Sequence, residues 1–170
     1  MTLDELFARY QTDKHEHGYA AAYERHLGPL RDEVITLLEI GVWRGGSLLA
    51  WADWMPKAQI IGVDINPQLQ ISAERIHVEK GDIKQYAPDR DYDVIIDDGS
   101  HFAEDIMAGY LRLWPKVKPG GWWICEDLDT QEPNSSVIYQ IEATLRELWH
   151  EQGDVAELHG YPQLCFLRKR

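Results

Sequence analysis

The chain has 170 residues, with 17 basic against 29 acidic side chains and a net charge of −12. Its 44% hydrophobic and 27% charged residues exclude wholesale disorder, and the length suits one domain with a full core. The acidic balance argues against nucleic-acid binding, no apolar run approaches the ~18 residues of a membrane helix, and Cys125 with Cys165 form no disulfide framework. The acidic start, Met1-Thr-Leu-Asp-Glu-Leu, lacks the basic flank of a secretory signal. A cytoplasmic protein with free thiols is therefore expected, with neither membrane nor nucleic acid as partner. Arg168-Lys-Arg170 reads as a solvated tail.

Leu3, Leu6, Phe7 and Tyr10 fall at helical spacing, and a polar, histidine-bearing segment leads to a second helix at Tyr19–Leu27. Strands are predicted at Thr36–Val42, Gln59–Asp64, Arg75–Glu79, Tyr92–Asp97 and Gly121–Glu126. Their cores, such as Ile-Ile-Gly-Val and Val-Ile-Ile, are continuously apolar, as parallel strands covered on both faces require. Helices are predicted at Ser47–Trp54, with Ser47 as N-cap, at Glu104–Trp114, bounded by Pro115, and at Ser136–Glu151, with Ile138, Ile141, Leu145 and Leu148 on one face. Asp154–Leu158 and Gln163–Arg168, joined by His159-Gly160-Tyr161-Pro162, read as a closing antiparallel hairpin. The expected fold is α/β, a Rossmann-like doubly wound, mainly parallel sheet ended by that hairpin.

Ligands of such sheets bind beyond the carboxyl ends of the strands. After the first strand comes Glu39-Ile-Gly-Val-Trp-Arg-Gly-Gly-Ser47, a glycine-rich turn that admits a ligand to the backbone at Gly41 but matches no phosphate-loop or dinucleotide fingerprint. Asp64 ends the second strand, where a carboxylate accepts hydrogen bonds from ribose hydroxyls or caps the segment ahead of Pro67. Asp82 follows the third strand, facing an adenine amino group or forming a solvated turn. Together these positions point to an adenosine-bearing cofactor.

Asp97-Asp98-Gly-Ser-His101 ends the fourth strand and Glu126-Asp127-Leu-Asp129 the fifth. On neighbouring strands, about 4.8 Å apart, these carboxylates repel one another unless a hard divalent cation, Mg²⁺ or Mn²⁺, joins them. The alternative is that Asp98 and Asp127 cap the helices that follow. His101, three residues past Asp98, is placed to take a proton from an acceptor hydroxyl. His15, His17 and His26 have no carboxylate partner at comparable spacing and are at best lid residues.

Leu-Leu-Glu-Ile-Gly-Val, Ile-Ile-Gly-Val-Asp-Ile, Gly-Asp, Tyr-Asp-Val-Ile-Ile-Asp-Asp-Gly-Ser-His and Glu-Asp-Leu-x-Thr occur in that order. The pattern resembles class I S-adenosylmethionine-dependent methyltransferases, and among them the metal-dependent sugar O-methyltransferases of macrolide and tetracenomycin biosynthesis. It runs from Thr12-Asp-Lys-His-x-His-Gly-Tyr19 to Thr130. The resemblance implies S-adenosylmethionine and Mg²⁺ (or Mn²⁺) as cofactors, with Asp98, Glu126 and Asp127 as metal ligands and His101 as general base. It implies cofactor contacts at Tyr19, Glu39, Gly41, Asp64, Ile65, Asp82 and Asp97. It also implies one methyltransferase domain over 1–170, with a helical lid over 1–30 and a Rossmann-like core over 36–170. Compared with the macrolide enzymes, the loop after Val42 is shorter and their additional N-terminal domain is not matched. Neither a macrolide acceptor nor a defined homo-oligomer is therefore carried over.

The reaction so implied is transfer of the sulfonium methyl to a hydroxylated small molecule, favouring a vicinal diol of a sugar or natural product. Trp43, Tyr86, Phe102, Trp122 and Trp123 are candidates to shape the acceptor pocket or to fill the core. Two rivals are an NAD-dependent oxidoreductase and a non-catalytic sensor module that binds an adenosine cofactor.

Overall fold

A computed structural model describes residues 1–68, 74–128 and 153–170. They form two compact units, Met1–Gly81 and Asp82–Arg170. The expected helix Ser136–Glu151, and Asp129 and Thr130, lie outside the described residues.

The first unit opens with α1 (Leu3–Arg9), started by a capping box in which the Glu5 N–H donates to Thr2 Oγ1 and the Thr2 N–H to Glu5 Oε2. Its stripe of Leu3, Leu6 and Phe7 is buried against α2 (Ala20–Leu27) and α3 (Gly46–Trp54). Trp51 is the hub of that packing. Its ring meets Phe7 edge-on at 5.1 Å and Tyr23 at 4.9 Å between centroids, the geometry that the aromatic quadrupole favours. Strands β1 (Thr36–Ile40), β2 (Gln59–Asp64) and β3 (Ile76–Lys80) pair in parallel, with β2 in the middle. Leu37, Leu38, Ile60, Ile61 and Val63 are buried, which explains their unbroken apolar run.

Two local expectations are corrected here. The N-cap of α3 is Gly45, at φ +75°, and Ser47 lies buried inside the helix. A left-handed turn into the helix needs glycine at that position more than it needs a capping hydroxyl. Strand β3 also starts one residue later than predicted, at Ile76. The Arg75 carbonyl still accepts from the Ile60 N–H, while its guanidinium donates to the carbonyls of Ala52 in α3 and of Met55 and Ala58 beyond it, satisfying acceptors around the helix terminus.

Gly46 carries a testable packing claim. A Cβ there would lie 2.5 Å from the carbonyl oxygen of Tyr10, so α3 passes close to the end of α1 only because that atom is missing. Gly46→Ala is expected to destabilise the protein by about 1–3 kcal/mol in chemical denaturation. Gly160→Ala, where a Cβ would meet nothing within 4 Å and the backbone belongs to the strand Val155–Tyr161, should cost almost nothing. Equal losses for the two would contradict the packing claim.

The second unit contains β4 (Tyr92–Asp97), α4 (Ala103–Leu113), β5 (Val117–Cys125), β6 (Val155–Tyr161) and β7 (Leu164–Lys169). β4 and β5 are parallel, and β7 pairs antiparallel with both β5 and β6. Strand β5 begins earlier than predicted, because a bulge between Tyr92 and Val94 lets Val117 join the ladder ahead of Trp122. The hairpin turn is also shorter than predicted. Tyr161 pairs with Leu164, leaving Pro162-Gln163 as the turn, with Gln163 at φ +60°. Cys125 and Cys165 are register partners with free, buried thiols; burial pushes the Cys165 thiol up to about 12 and Cys125 well above the usual range. Such thiols are poor nucleophiles and serve as packing groups. Among the described residues, seven strands, mainly parallel with an antiparallel C-terminal pair, give the α/β, Rossmann-like class expected from sequence.

Candidate active site

In the first unit the glycine turn after β1 is held by a carboxylate at the end of β2. Asp64 Oδ2 accepts from the N–H groups of Val42 at 2.8 Å and Trp43 at 3.1 Å, and Oδ1 accepts from Asn66 at 2.7 Å. These bonds fix Gly41 at φ +88° and Trp43 at φ +43°, conformations that an L side chain resists. Asp64 is thus a clamp on the turn, a role that reading it only as a ribose acceptor or a cap does not include. Ile65 beside it is exposed.

Glu39 is fully buried. Its Oε2 accepts from the indole N–H of Trp51 at 2.7 Å, and its Oε1 lies 3.6 Å from the Lys14 ammonium, itself buried. A lone buried charge is costly, and pairing offsets much of that cost. The Glu39 side chain therefore belongs to this inner pair, and the turn it begins offers backbone groups outward. Lys14 was not among the predicted site residues, although it lies in the Thr12-Asp-Lys-His element already singled out. Tyr19 precedes α2 and is buried, its ring 5.2 Å from that of His17. His15, contrary to expectation, has a carboxylate partner: Asp4 Oδ1 lies 2.8 Å from its Nδ1. The partner comes from α1, beyond the local spacing that the sequence reading considered.

In the second unit Asp82 forms a turn. Its carbonyl accepts from the N–H groups of Gln85 and Tyr86, and its Oδ1 from Lys84 at 2.9 Å. The carboxylate is partly exposed.

β4 and β5 are neighbours, as the acidic cluster requires: Asp97 pairs with Cys125, and the Glu126 N–H donates to the Asp97 carbonyl at 2.9 Å. Asp97 is 4% exposed, and its Oδ2 has no hydrogen-bond partner among the described residues. Burial pushes its carboxyl up to about 7; the Gly99 N–H pulls it down, and the charges of Asp98 and Asp105 raise it further.

Beyond the strand ends, one ligand atom each from Asp98, His101 and Asp127 lies within 4.8 Å of the others. His101 Nε2 is 3.7 Å from Asp127 Oδ2. His101 at φ +60° and Asp127 at φ +51° both occupy the left-handed region, which Asp and His tolerate better than most residues. The helix-cap alternative for Asp98 fails, since the N-cap of α4 is Phe102, without a side-chain cap bond. Glu126 is buried and is not part of the three-residue group, in which His101 takes the third place. Of the aromatic candidates, Trp122 and Trp123 are core residues, Trp43 and Phe102 are exposed, and Tyr86 is intermediate.

The donor set fits a hard divalent cation. Ligands about 2.1 Å from an octahedral ion stand roughly 3–4 Å apart, so the cluster needs only slight closure to reach that size. It combines carboxylates with an imidazole and contains no thiolate, which disfavours soft metals.

A family model described as a methyltransferase domain matches residues 38–128. The 8-demethyl-8-alpha-L-rhamnosyl tetracenomycin-C 2′-O-methyltransferase of Streptomyces olivaceus is 36% identical over 97% of this chain and 54% of its own length. The mycinamicin VI 2″-O-methyltransferase of Micromonospora griseorubida is 28% identical over 98% of this chain and 52% of its own. A solved structure of the MycE methyltransferase from the mycinamycin biosynthetic pathway, in complex with Mg and SAH, superposes with a TM-score of 0.88 at 28% identity, over 99% of this chain and 54% of that one. The chain thus spans about half the length of the curated relatives it matches. With more than half of its residues matched by the domain model, the chain belongs to the methyltransferase domain family.

Proposed function

We propose that this chain carries out S-adenosylmethionine-dependent, divalent-metal-dependent O-methylation of a hydroxyl, on a vicinal diol of a sugar or natural product. The observation that carries the reading is the convergence of Asp98, His101 and Asp127 within 4.8 Å at the ends of adjacent strands. Relatives whose names specify methylation at 2′ and 2″ oxygens, and a similar structure complexed with Mg and SAH, support it.

In this reading the Glu39–Gly41 turn, Asp64 with Ile65, Asp82, Asp97 and Tyr19 hold the cofactor. Asp64 Oδ2 accepts two backbone bonds and Oδ1 one, which leaves Oδ1 a lone pair for a ribose hydroxyl. Asp98 and Asp127 hold the cation, with Glu126 as the third carboxylate. Bound Mg²⁺ supplies Lewis acidity that makes the acceptor hydroxyl easier to deprotonate. His101 takes that proton, and the Asp127 carboxylate nearby stabilises the resulting imidazolium. The exposed rings of Trp43 and Phe102 offer apolar surface to the acceptor.

The test is transfer of a labelled methyl group from S-adenosylmethionine to a panel of glycosides and catechols, with and without EDTA. Chelation should abolish transfer and Mg²⁺ or Mn²⁺ should restore it. Full turnover in the presence of chelator would rule out the metal mechanism. Cofactor binding with no methylation of any diol would favour the sensor reading.

A further inference from the structure

We propose that Asp105, acting through Ser100, is a positioning residue for the loop carrying Asp98 and His101, and that cutting this link weakens divalent-cation binding while the fold persists. The proposal rests on the metal-site reading above and adds residues that it does not use.

The Ser100 hydroxyl donates to Asp105 Oδ2 at 2.5 Å and accepts from the Phe102 N–H at 3.4 Å. The bond from Phe102 to Ser100 therefore spans His101, which holds a left-handed conformation. A non-glycine residue keeps such a conformation only when its surroundings impose it. Asp105 lies in the first turn of α4, so the loop is tied to a rigid element. Its other oxygen, Oδ1, is 2.5 Å from the Lys84 ammonium, and the Lys84 N–H donates to Asp82 Oδ1. The bonds to Lys84 and then to Ser100 hold the Asp105 carboxyl below its usual range. All these groups lie within the Asp82–Arg170 unit. Lys84 is half exposed, so screening limits its share, and the Ser100 bond is the decisive one.

Asparagine at this position would still accept from Ser100 through its amide oxygen, so Asp105→Ala is the substitution that removes the link. Outer partners that orient ligand-bearing loops typically change metal affinity tenfold or more when removed. Glu104 supplies the control. It is the other acid in the first turn of α4, so its neutralisation changes the helix terminus equally. Among the described residues it has no bond to Ser100.

The experiment titrates Mn²⁺ into the full chain, reading free Mn²⁺ by electron paramagnetic resonance, with a thermal unfolding curve for each variant. Asp105→Ala and Ser100→Ala are each expected to weaken binding roughly tenfold, and the double variant no further than either alone. Ser100→Thr, which keeps the hydroxyl, and Glu104→Gln should stay within about twofold of the parent. If Asp105→Ala fails to fold, Ser100→Ala removes the same bond and decides the matter. Parental affinity in Ser100→Ala, or an equal loss in Glu104→Gln, would overturn the positioning role and leave the metal reading intact. A parent protein that binds no Mn²⁺ overturns the metal reading itself, and this proposal with it.

Discussion

Replacing Asp127 by asparagine is expected to weaken Mn²⁺ binding at least about a hundredfold, and methyl transfer should fall with it. The magnitude follows from position: outer partners already cost about 10–100-fold, and Asp127 is proposed to touch the ion itself. Asparagine suits this test because Asp127 lies at φ +51°, where asparagine is tolerated and alanine is strained. The substitution removes charge and leaves the backbone in place. Asp98→Asn should behave alike, since both carboxylates belong to the same group of ligand atoms. Calorimetry with S-adenosylmethionine provides the control, as cofactor affinity should change far less than metal affinity. A variant lacking Asp127 that binds Mn²⁺ as tightly as the parent would show that the cluster is only a set of surface acids.

The second large effect is expected at His101. With its imidazole removed, the acceptor hydroxyl has no positioned base, and general-base catalysis is worth about 10²–10⁴-fold. His101→Asn is preferable to His101→Ala, because φ is +60° there and an alanine would add backbone strain to chemical loss. The predicted outcome is a fall in kcat of that order, with S-adenosylmethionine affinity and thermal stability close to parental. A rise in KM with unchanged kcat would instead assign His101 to binding. Loss of Mn²⁺ affinity equal to that of Asp127→Asn would make it a ligand, as its place in the three-residue cluster permits.

Much of this architecture is legible in the sequence because parallel strands buried on both faces leave a strong mark. Ile-Ile-Gly-Val and Val-Ile-Ile are unbroken apolar runs, Leu-Leu-Glu-Ile is broken only by Glu39, and each lies in an observed strand. The carboxylates at the strand ends are legible for the same reason, since a strand's end fixes which residues leave the edge. Local turn chemistry is less reliable. Gly160 and Pro162 resemble a four-residue turn, yet Gly160 pairs with Cys165 inside the ladder. Ser47 resembles a cap, yet the backbone hand at Gly45 decides where α3 begins.

Groups brought together from distant positions leave the weakest mark. Lys14 looks like any polar residue until Glu39, itself bonded to Trp51, faces it in the interior. Glu39 looks like an edge ligand until those same contacts turn its carboxylate inward. The bond from Ser100 to Asp105 crosses a loop and the start of a helix, a spacing with no periodic signature. Asp98 and Asp127 join two strands whose adjacency is a matter of topology, which the sequence supplies only as a condition.

Anomalous diffraction from crystals of the full chain grown with Mn²⁺ tests the central claim most directly. One strong peak is predicted about 2.1–2.3 Å from carboxylate oxygens of both Asp98 and Asp127, beside the His101 ring. No peak there, or one coordinated without either carboxylate, would contradict the account.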